Sequence, residues 1–574
     1  MSEMNETNEM NETNDTNEIT NAGGMEGTDV SNRMVGMEET DVTAKSGGID
    51  ETDTPDKSGG NNEMNESPKP YGLNETNGQA VTVAPAVAKQ ITDFIESMAL
   101  IGNILISLVL DIFLFSPLIQ LILRIVVKPK ISKNIYPEMV HYQNAIAVTN
   151  RIVMITAAVL YVIAIVILFN YDRLKQFRAG AAEDSLKSLV RKLLPLLIFI
   201  VYAADILLVT KLRGASAYDM EGHWYTHESI YSYIAYALAY FFCGMMVFNE
   251  QVRGMLLYQL IFSSVPLNIL TLVNEWGTHV KYYDAVGNYG VTAVFCNSNH
   301  YGYYLAIIIL TSGLLAVYEK RIVLRIIAAL CGIIAAVALI LNNTLGAYLA
   351  VLFTMVLFLA YCCISDRKNR WGAVILLAVF LLITAIMSVK YDTILSSIMV
   401  LGDDIGQLAS DPMTADTAGS GRWRLWKGTV QHLPEHPLAG FGVEGLLDLY
   451  GIGTPHNEFL QYSAFFGIPA MLLYVAACAV VLWRVFRNGK QMDRMTMVCF
   501  FVSIGYLASS FFGVAIFYTT AYFYIFLGLT YAQFLRYGKL TPKQAKRKKK
   551  KREDAGEPPV EEEQPAAPSE QSIA

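Results

Sequence analysis

A histidine and two amide side chains stand where a loop enters a long apolar segment. The sequence GIGTPHNEFLQYSAFFGIP, residues 451–469, begins as a loop and ends in an apolar helix. His456 can take a proton from a hydroxyl group at this entrance, because the pKa of an imidazole is near neutral. Asn457 and Gln461 present amides toward the same interface and are candidate substrate-binding residues. On this segment alone, His456 is either a catalytic base or a hydrogen-bonded structural residue.

A short helix is predicted upstream, in the sequence GSGRWRLWKGTVQHLPEHP. It runs from Arg422 to Leu433. Ser420 is the expected N-cap, and Pro434 ends the helix. Helical spacing gives it one broad apolar face, formed by Trp423, Leu425, Trp426, Val430 and Leu433. On the opposite face lie Arg424, Lys427 and Gln431.

Arg422 falls in the middle of the apolar face of this helix. A guanidinium there needs an anionic partner, or it must reach solvent at the helix end. Arg422 therefore either makes a structural salt bridge, to a residue such as Asp403 or Glu444, or binds a phosphate, which suits the fork of an arginine. Arg424 and Lys427 are further candidates for binding the same anion.

Two other motifs carry polar or glycine residues. The stretch GFGVEG, residues 440–445, formally matches the dinucleotide-binding pattern. No strand or βαβ unit is predicted around it, so ordinary tight turns explain its glycines better. The sequence FCNSNHYGYYL places Asn297, Asn299 and His300 at the mouth of another apolar segment. These amides either bind sugar hydroxyls or cap the helix.

The carboxylates do not suggest a metal site. Asp403 and Asp404 are adjacent, whereas a metal-dependent glycosyltransferase needs spaced carboxylates. Six of the seven cysteines lie in apolar runs, which is typical of neither a disulfide framework nor a cysteine metal site. We therefore expect no metal and no cofactor. Asp205, in a predicted span, is the clearest buried acid, and a carboxylate within a membrane is a functional hypothesis by default.

The elements that must position these residues are membrane helices. The chain has 574 residues, of which 53% are hydrophobic and 17% are charged. Its apolar runs approach ~20 residues, the length of a helix that crosses a membrane. This pattern predicts an all-α polytopic membrane protein and excludes a soluble domain. About twelve spans are predicted, within residues 98–123, 152–169, 193–210, 230–248, 254–273, 301–318, 322–341, 345–364, 373–389, 459–483, 495–513 and 515–535.

Basic residues orient the predicted spans. The Lys/Arg block at 543–552 predicts a cytoplasmic C-terminus, since cytoplasmic loops are enriched in positive charge. Most other basic loops then also fall inside, but the basic loop 124–151 falls outside, which leaves the topology of residues 94–151 open. The large loop between spans nine and ten is extracytoplasmic, where no nucleotide cofactor is available and no nucleic-acid partner is expected.

The predicted organisation has five parts. Low-complexity composition at both ends predicts disordered cytoplasmic tails. The parts are the N-terminal tail (1–90), spans one to nine (91–389), the extracytoplasmic loop (390–457), spans ten to twelve (458–537), and a basic, then acidic tail (538–574).

These motifs together resemble the signature region of the O-antigen ligase and O-antigen polymerase family of bacterial membrane proteins. The resemblance rests on Arg422, Trp423 and Trp426, on EHPLAGFGVEG, and on PHNEFLQYSAFFGIPA. The family pattern of His-Asn, nine residues and Gly is met by His456, Asn457 and Gly467. FCNSNHYGYYL is similar to the family stretch G-x-F-x-N-P-N, with Asn299 as its last Asn. The specific similarity covers about residues 286–470.

The sequence departs from the family at three positions. Ser298 stands where Pro is usual, and Ala470 stands where Gly, Thr or Tyr is usual. After the seventh span many members carry Ser-Arg-Gly, whereas this chain has Thr344, Leu345 and Gly346. The family arginine is therefore missing at Leu345, and another cation must take its role or the substrate differs.

The resemblance implies glycosyl transfer at the outer face of a bacterial plasma membrane, with both termini in the cytoplasm. The donor would be a glycan on undecaprenyl pyrophosphate, and the acceptor a glycan, glycolipid, cell-wall polymer or protein. By this resemblance, His456 would deprotonate the acceptor hydroxyl and Arg422 would stabilise the departing pyrophosphate. Whether the enzyme is a ligase or a polymerase stays open. The alternative is a transporter or flippase of lipid-linked glycans, for which a clear internal repeat would be expected.

Overall fold

The computed structural model describes residues 186–216, 219–220, 222, 228–246, 250–276, 293–295, 297–391, 394–411 and 415–536, with scattered positions in 110–122 and 151–159. These residues form helices and turns. The helices are α1 (Leu186–Arg213), α2 (Ile230–Met246), α3 (Glu250–Trp276), α4 (Ser298–Tyr318), α5 (Ile322–Asn342), α6 (Leu345–Ile364), α7 (Arg370–Lys390), α8 (Ile394–Ser410), α9 (Arg422–His432), α10 (Gly445–Tyr450), α11 (Glu458–Phe466), α12 (Ile468–Asn488), α13 (Arg494–Ser510) and α14 (Phe517–Arg536).

Seven of the described helical stretches are long and apolar enough to cross a membrane. They are Leu193–Arg213, Glu250–Val273, Ser298–Tyr318, Ile322–Asn342, Leu345–Ile364, Arg367–Lys390 and Ile468–Asn488. Two shorter apolar helices, Ile230–Phe241 and Arg494–Ser510, coincide with two further predicted spans. The protein is thus an all-helical integral membrane protein over its described part. The predicted first two spans, the loop 124–151 and both tails lie largely or wholly outside the described residues.

Helix α4 is the central helix of the bundle. Its apolar window is 89% buried, against 22% for α7, which therefore has most of its surface available to lipid. Helix α4 packs against α5, α6 and α13, and α14 packs along α2. The N-terminus of α4 carries the Asn297–His300 motif, so that motif stands at the end of the most enclosed helix.

The predicted tenth span is interrupted in the structure. A continuous span was expected within 459–483, but Gly467 separates the short helix α11 from the long helix α12. Gly467 has φ +93°, and a Cβ on it would lie 2.3 Å from the Leu438 carbonyl oxygen. A residue with a side chain cannot take this place, so the break is fixed by the glycine. His456 consequently precedes a helix of only nine residues.

An arginine at the end of α1 holds the segment between α7 and α12. Arg213 donates to the carbonyl oxygens of Ala439 (2.8 Å) and Phe465 (3.0 Å), and it pairs with Asp219 at 2.8 Å. Asp219 in turn accepts a hydrogen bond from the Val443 backbone N–H. The loop is therefore fastened to a membrane helix and to α11 at the same point.

Candidate functional site

His456 adopts an uncommon backbone conformation just before α11. Its φ is +49°, in the left-handed region that residues with side chains rarely occupy. The other described non-glycine residues with positive φ are Ala293, Asn343 and Ser420. Each of these lies next to one of the motif segments. Such conformations cost free energy and cluster at functional sites, so their grouping marks this region.

The amides predicted to bind substrate hold α11 in place. The Asn457 side chain caps α11 by accepting from the Leu460 N–H at 3.0 Å, and it donates to the Phe511 carbonyl at 3.1 Å. Gln461 accepts from the Ala515 N–H at 2.8 Å. Both amides are buried, so these contacts fix the position of His456. Substrate binding by Asn457 and Gln461 stays a prediction.

Arg422 stands at the first position of α9 without an acidic partner among the residues that the structure describes. Its Nη1 donates to the Gly419 carbonyl at 3.1 Å, and its buried Nε has no hydrogen-bond partner. No described carboxylate pairs with it; Asp404 instead accepts from the Gly419 N–H at 2.9 Å. The salt-bridge interpretation, with Asp403 or Glu444 as partner, therefore finds no support in the described part of the chain. The guanidinium keeps donors for a ligand.

The short helix itself is confirmed, but two details of its prediction are wrong. The N-cap position is Gly421, with φ +79°, and not Ser420, whose own φ of +57° continues the left-handed turn. Val430 was expected on the buried face but is 53% exposed. Thr429 is fully buried instead. The face that packs inward is therefore centred on Arg422, Trp426 and Thr429, close to the predicted apolar face.

Electrostatic interactions connect His456 with Arg422 and with His300, which belong to three separated segments. Burial, and then the neighbouring Arg422 cation, lower the pKa of His456 to about 4. His300 of α4 interacts electrostatically with His456, and Tyr303 of the same helix interacts with Arg422. The imidazole of His456 is thus neutral at neutral pH, and it lies beside a positive charge.

The turn after α13 joins these segments. The Phe512 carbonyl accepts a hydrogen bond from the Tyr303 hydroxyl at 2.7 Å, as the Phe511 carbonyl does from Asn457. Trp426 packs its ring 5.5 Å from that of Phe511 and 6.3 Å from that of Phe512. This turn therefore contacts α4, α9 and the start of α11 simultaneously.

The Asn297 side chain caps α4, whereas that of Asn299 makes no hydrogen bond with a described residue. Asn297 accepts from the backbone N–H groups of Asn299 (2.8 Å) and His300 (3.4 Å). Thr344, from the element in which the family arginine is missing, donates to the Ser298 carbonyl at 3.1 Å. The two motifs are thus adjacent, and binding of a sugar hydroxyl by Asn299 stays a prediction.

The remaining predicted cations lie farther from this group. Lys427 pairs with Asp416 at 2.6 Å, and Arg424 is exposed on the outer side of α9. Neither is brought against His456 by a contact that the structure shows. Their role in binding substrate stays a prediction.

The prediction that Asp205 is the clearest buried acid is wrong. Asp205 is only half-buried, whereas Glu458 and Glu228 are fully buried. Glu458 accepts hydrogen bonds from Tyr462 (2.8 Å) and Tyr474 (3.1 Å). The signal was available: Glu458 stands two residues after His456 and directly before a run of apolar residues. It was missed because only the fold shows that the hydroxyls of Tyr462 and Tyr474 both reach this carboxylate.

The backbone conformation and close packing of GFGVEG explain its glycines. Gly440 and Gly442 have φ +64° and +94°. A Cβ on Gly440 would lie 2.6 Å from the backbone of Phe465 and Phe466. The glycines therefore allow tight turns and close backbone contact, as predicted. Among the described residues, no group of three or more His, Cys, Asp or Glu side chains is placed to hold a metal ion.

The fold and the site define a class: an integral membrane protein in which a helical loop segment places an arginine beside a histidine. Residues 330–475 match the family model Wzy_C, O-antigen ligase. This segment includes the whole loop with Arg422 and His456, and the match supports a relationship to the O-antigen ligase family. The match indicates an enzyme of the glycosyltransferase or ligase type. No curated protein matches the chain.

Proposed function

We propose that this protein transfers a glycan from an undecaprenyl-pyrophosphate carrier to an acceptor hydroxyl at the outer face of a bacterial plasma membrane. The family match supports glycosyl transfer of the ligase or polymerase type. The carrier, the membrane face and the cytoplasmic position of both termini rest on the family resemblance and on the distribution of basic loops.

The observation that carries the proposal is the electrostatic interaction of Arg422 with His456. A half-buried arginine without an acidic partner in the described part of the chain suits an anionic ligand, which would compensate its charge. A neutral imidazole beside it suits a base that acts on a hydroxyl. A lipid-linked pyrophosphate and an acceptor alcohol together meet both requirements.

The proposed reaction is a displacement at the anomeric carbon of the donor sugar. His456 removes the proton of the acceptor hydroxyl, and the acceptor oxygen forms a bond to the anomeric carbon. The bond from that carbon to the pyrophosphate oxygen breaks, and undecaprenyl pyrophosphate leaves with the electron pair. His456 then releases its proton to water. No metal takes part in this proposal.

Arg422 stabilises the negative charge that develops on the leaving pyrophosphate. Its guanidinium is held by the Gly419 carbonyl, so it is oriented before substrate binds. Asn299 is the proposed ligand of a sugar hydroxyl. Arg424 and Lys427 are proposed as additional cations for the pyrophosphate, in the role of the family arginine that is missing at Leu345.

The experiment compares lipid-linked glycans in cells that produce the wild type or His456→Ala at matched membrane levels. We expect the variant to accumulate undecaprenyl-linked intermediates and to lose the mature polymer. Full-length chains on the carrier would indicate a ligase, and single repeat units a polymerase. Normal polymer from the variant would show that His456 is structural and that the proposed site is wrong.

A further inference from the structure

Three buried polar atoms on one face of α9 have no hydrogen-bond partner in the described structure. They are Nε of Arg422, Nε1 of Trp426 and Oγ1 of Thr429. Their spacing places them in one row along the helix, about 10 Å long. Buried polar groups nearly always have a partner, so a row of three calls for a specific explanation.

The Thr429 hydroxyl differs from those of most buried helical threonines among the described residues, although the hydroxyls of Thr210 and Thr496 also have no partner there. Helical threonines commonly donate to the carbonyl four residues earlier. Five in this chain do so: Thr271, Thr311, Thr354, Thr384 and Thr530. Thr429 is fully buried yet does not make this bond. Its hydroxyl therefore remains available to a group outside its own helix.

The indole of Trp426 limits the chemistry of that group. An indole N–H only donates, so its partner must offer an acceptor oxygen. The nearby carbonyls of Phe511 and Phe512 already accept from Asn457 and Tyr303. Nε1 of Trp426 has no partner in the described structure, and an oxygen-rich group from outside the protein would supply the acceptor that it needs.

The charge along the row changes with position. Arg422 at one end is cationic and suits a phosphate. Trp426 and Thr429 are neutral. Trp426 offers an aromatic ring and an N–H donor, and the Thr429 hydroxyl can both donate and accept a hydrogen bond. A neutral donor, a hydroxyl and an aromatic ring suit a sugar, whose hydroxyl groups need both donors and acceptors. The row thus has a phosphate end and a sugar end.

We propose that Trp426 and Thr429 form a subsite for the first sugar of the lipid-linked donor, next to the pyrophosphate on Arg422. This inference rests on the proposed function, which supplies the pyrophosphate end. The three atoms are shielded from solvent in this conformation. The sugar therefore reaches them when α9 shifts away from Phe511 and Phe512, against which Trp426 packs.

Two conservative variants test the subsite. Trp426→Phe and Thr429→Val each remove the polar group and keep most of the shape. Because neither atom is bonded in the free protein, both variants should fold at least as stably as the wild type. Thr311→Val is the matched control, since Thr311 is also fully buried but its hydroxyl is bonded within α4.

Binding is measured in lipid nanodiscs with two probes. One is undecaprenyl pyrophosphate, and the other is the glycan-bearing carrier purified from cells that lack this protein. We expect each variant to bind the glycan-bearing carrier about tenfold more weakly. Binding of undecaprenyl pyrophosphate should not change, and Thr311→Val should leave binding of both probes unchanged.

Other results would overturn the subsite. Equal losses for both probes would assign the residues to the phosphate, and unchanged binding of both would make them structural. Unchanged donor binding with a raised KM for the acceptor would place the subsite on the acceptor side. A wild type that binds neither probe would refute the proposed donor itself, and the subsite with it.

Discussion

The imidazole of His456 lies within the electrostatic field of the Arg422 guanidinium, although 33 residues separate them in sequence. Burial and this cation both favour the neutral imidazole. A pKa of about 4 makes His456 a weak base in the free protein. A bound pyrophosphate would offset the charge of Arg422 and raise that pKa. Donor binding would then prepare the base for the acceptor.

Replacement of His456 by Gln should abolish most of the transferase activity. Gln keeps a polar side chain of similar size but cannot take a proton, so kcat/KM should fall about 100-fold or more. The measurement is glycan transfer by purified protein in nanodiscs. His432→Gln is the matched control in the same loop, because His432 contacts Glu435 and Tyr450 and not the site. Near-normal rates for His456→Gln would contradict the proposed base.

The fall of kcat/KM at acid pH should show how far burial and the charge of Arg422 lower the pKa of His456. The reaction needs neutral His456, which is present above its pKa and lost as the pH falls through it. For kcat/KM, which reflects the free enzyme, this loss should occur near pH 4 and not near 6.5. For kcat, which reflects the donor complex, it should occur at higher pH.

Arg422→Met should move the acid limb of kcat/KM to higher pH, because the cation that disfavours the imidazolium is gone. The same variant should lower kcat as well, since the leaving group loses its stabilising charge. The profiles are measured between pH 4 and 8 on protein shown to remain folded over that range. If the acid limb of kcat/KM stays at the same pH in Arg422→Met, the charge of Arg422 does not influence the protonation of His456.

Gly467→Ala should destabilise the protein by at least about 2 kcal/mol, because alanine is strained at this φ and its Cβ would meet the Leu438 carbonyl. The thermal unfolding midpoint in detergent measures this. Gly453→Ala is the control, since a Cβ there meets nothing within 4 Å and its φ is not positive. Equal midpoints for the two variants would refute the role given to Gly467.

Arg213→Gln should lower the free energy of unfolding by about 3 kcal/mol, because it leaves the buried carboxylate of Asp219 without its cation.

Burial alone would raise the pKa of Asp219. The hydrogen bonds from Ser216 and the charge of Arg213 outweigh this effect, so the pKa of Asp219 is lowered. The carboxylate therefore contributes stability above its unfolded pKa of 3.8, which is lost as the pH falls through the lower folded value. Asp219→Asn should remove this dependence. A pH-independent difference between Asp219→Asn and the wild type would contradict it.

Local patterns predicted much of the fold because membrane helices follow from apolar length alone. The spans near 301–318, 322–341 and 345–364 coincide with α4, α5 and α6 within a few residues. The break at Gly467 was not predicted, because the apolar run continues through it and only the distant Leu438 carbonyl reveals the constraint. The count of twelve spans remains a prediction.

The sequence predicted which residues belong to the candidate site, but it did not predict which groups they contact. His456 and Arg422 were chosen for their chemistry and for the family resemblance, and the structure brings them together. That Asn457 and Gln461 bind backbone groups near residues 511–515 could not be foreseen, because those partners lie more than 50 residues away. Thr429 was missed because its neighbour Val430 satisfied the apolar pattern.

The bonds from Arg213 to Ala439 and Phe465 predict that the protein tolerates a backbone cut between these two carbonyl groups. The segment between them, with exposed Leu449 and Gly451, is joined at both ends to the same guanidinium. A backbone cut near residue 450 would therefore leave two fragments that remain associated without a covalent link. The enzyme should then be obtainable as two separately encoded halves that assemble within the membrane.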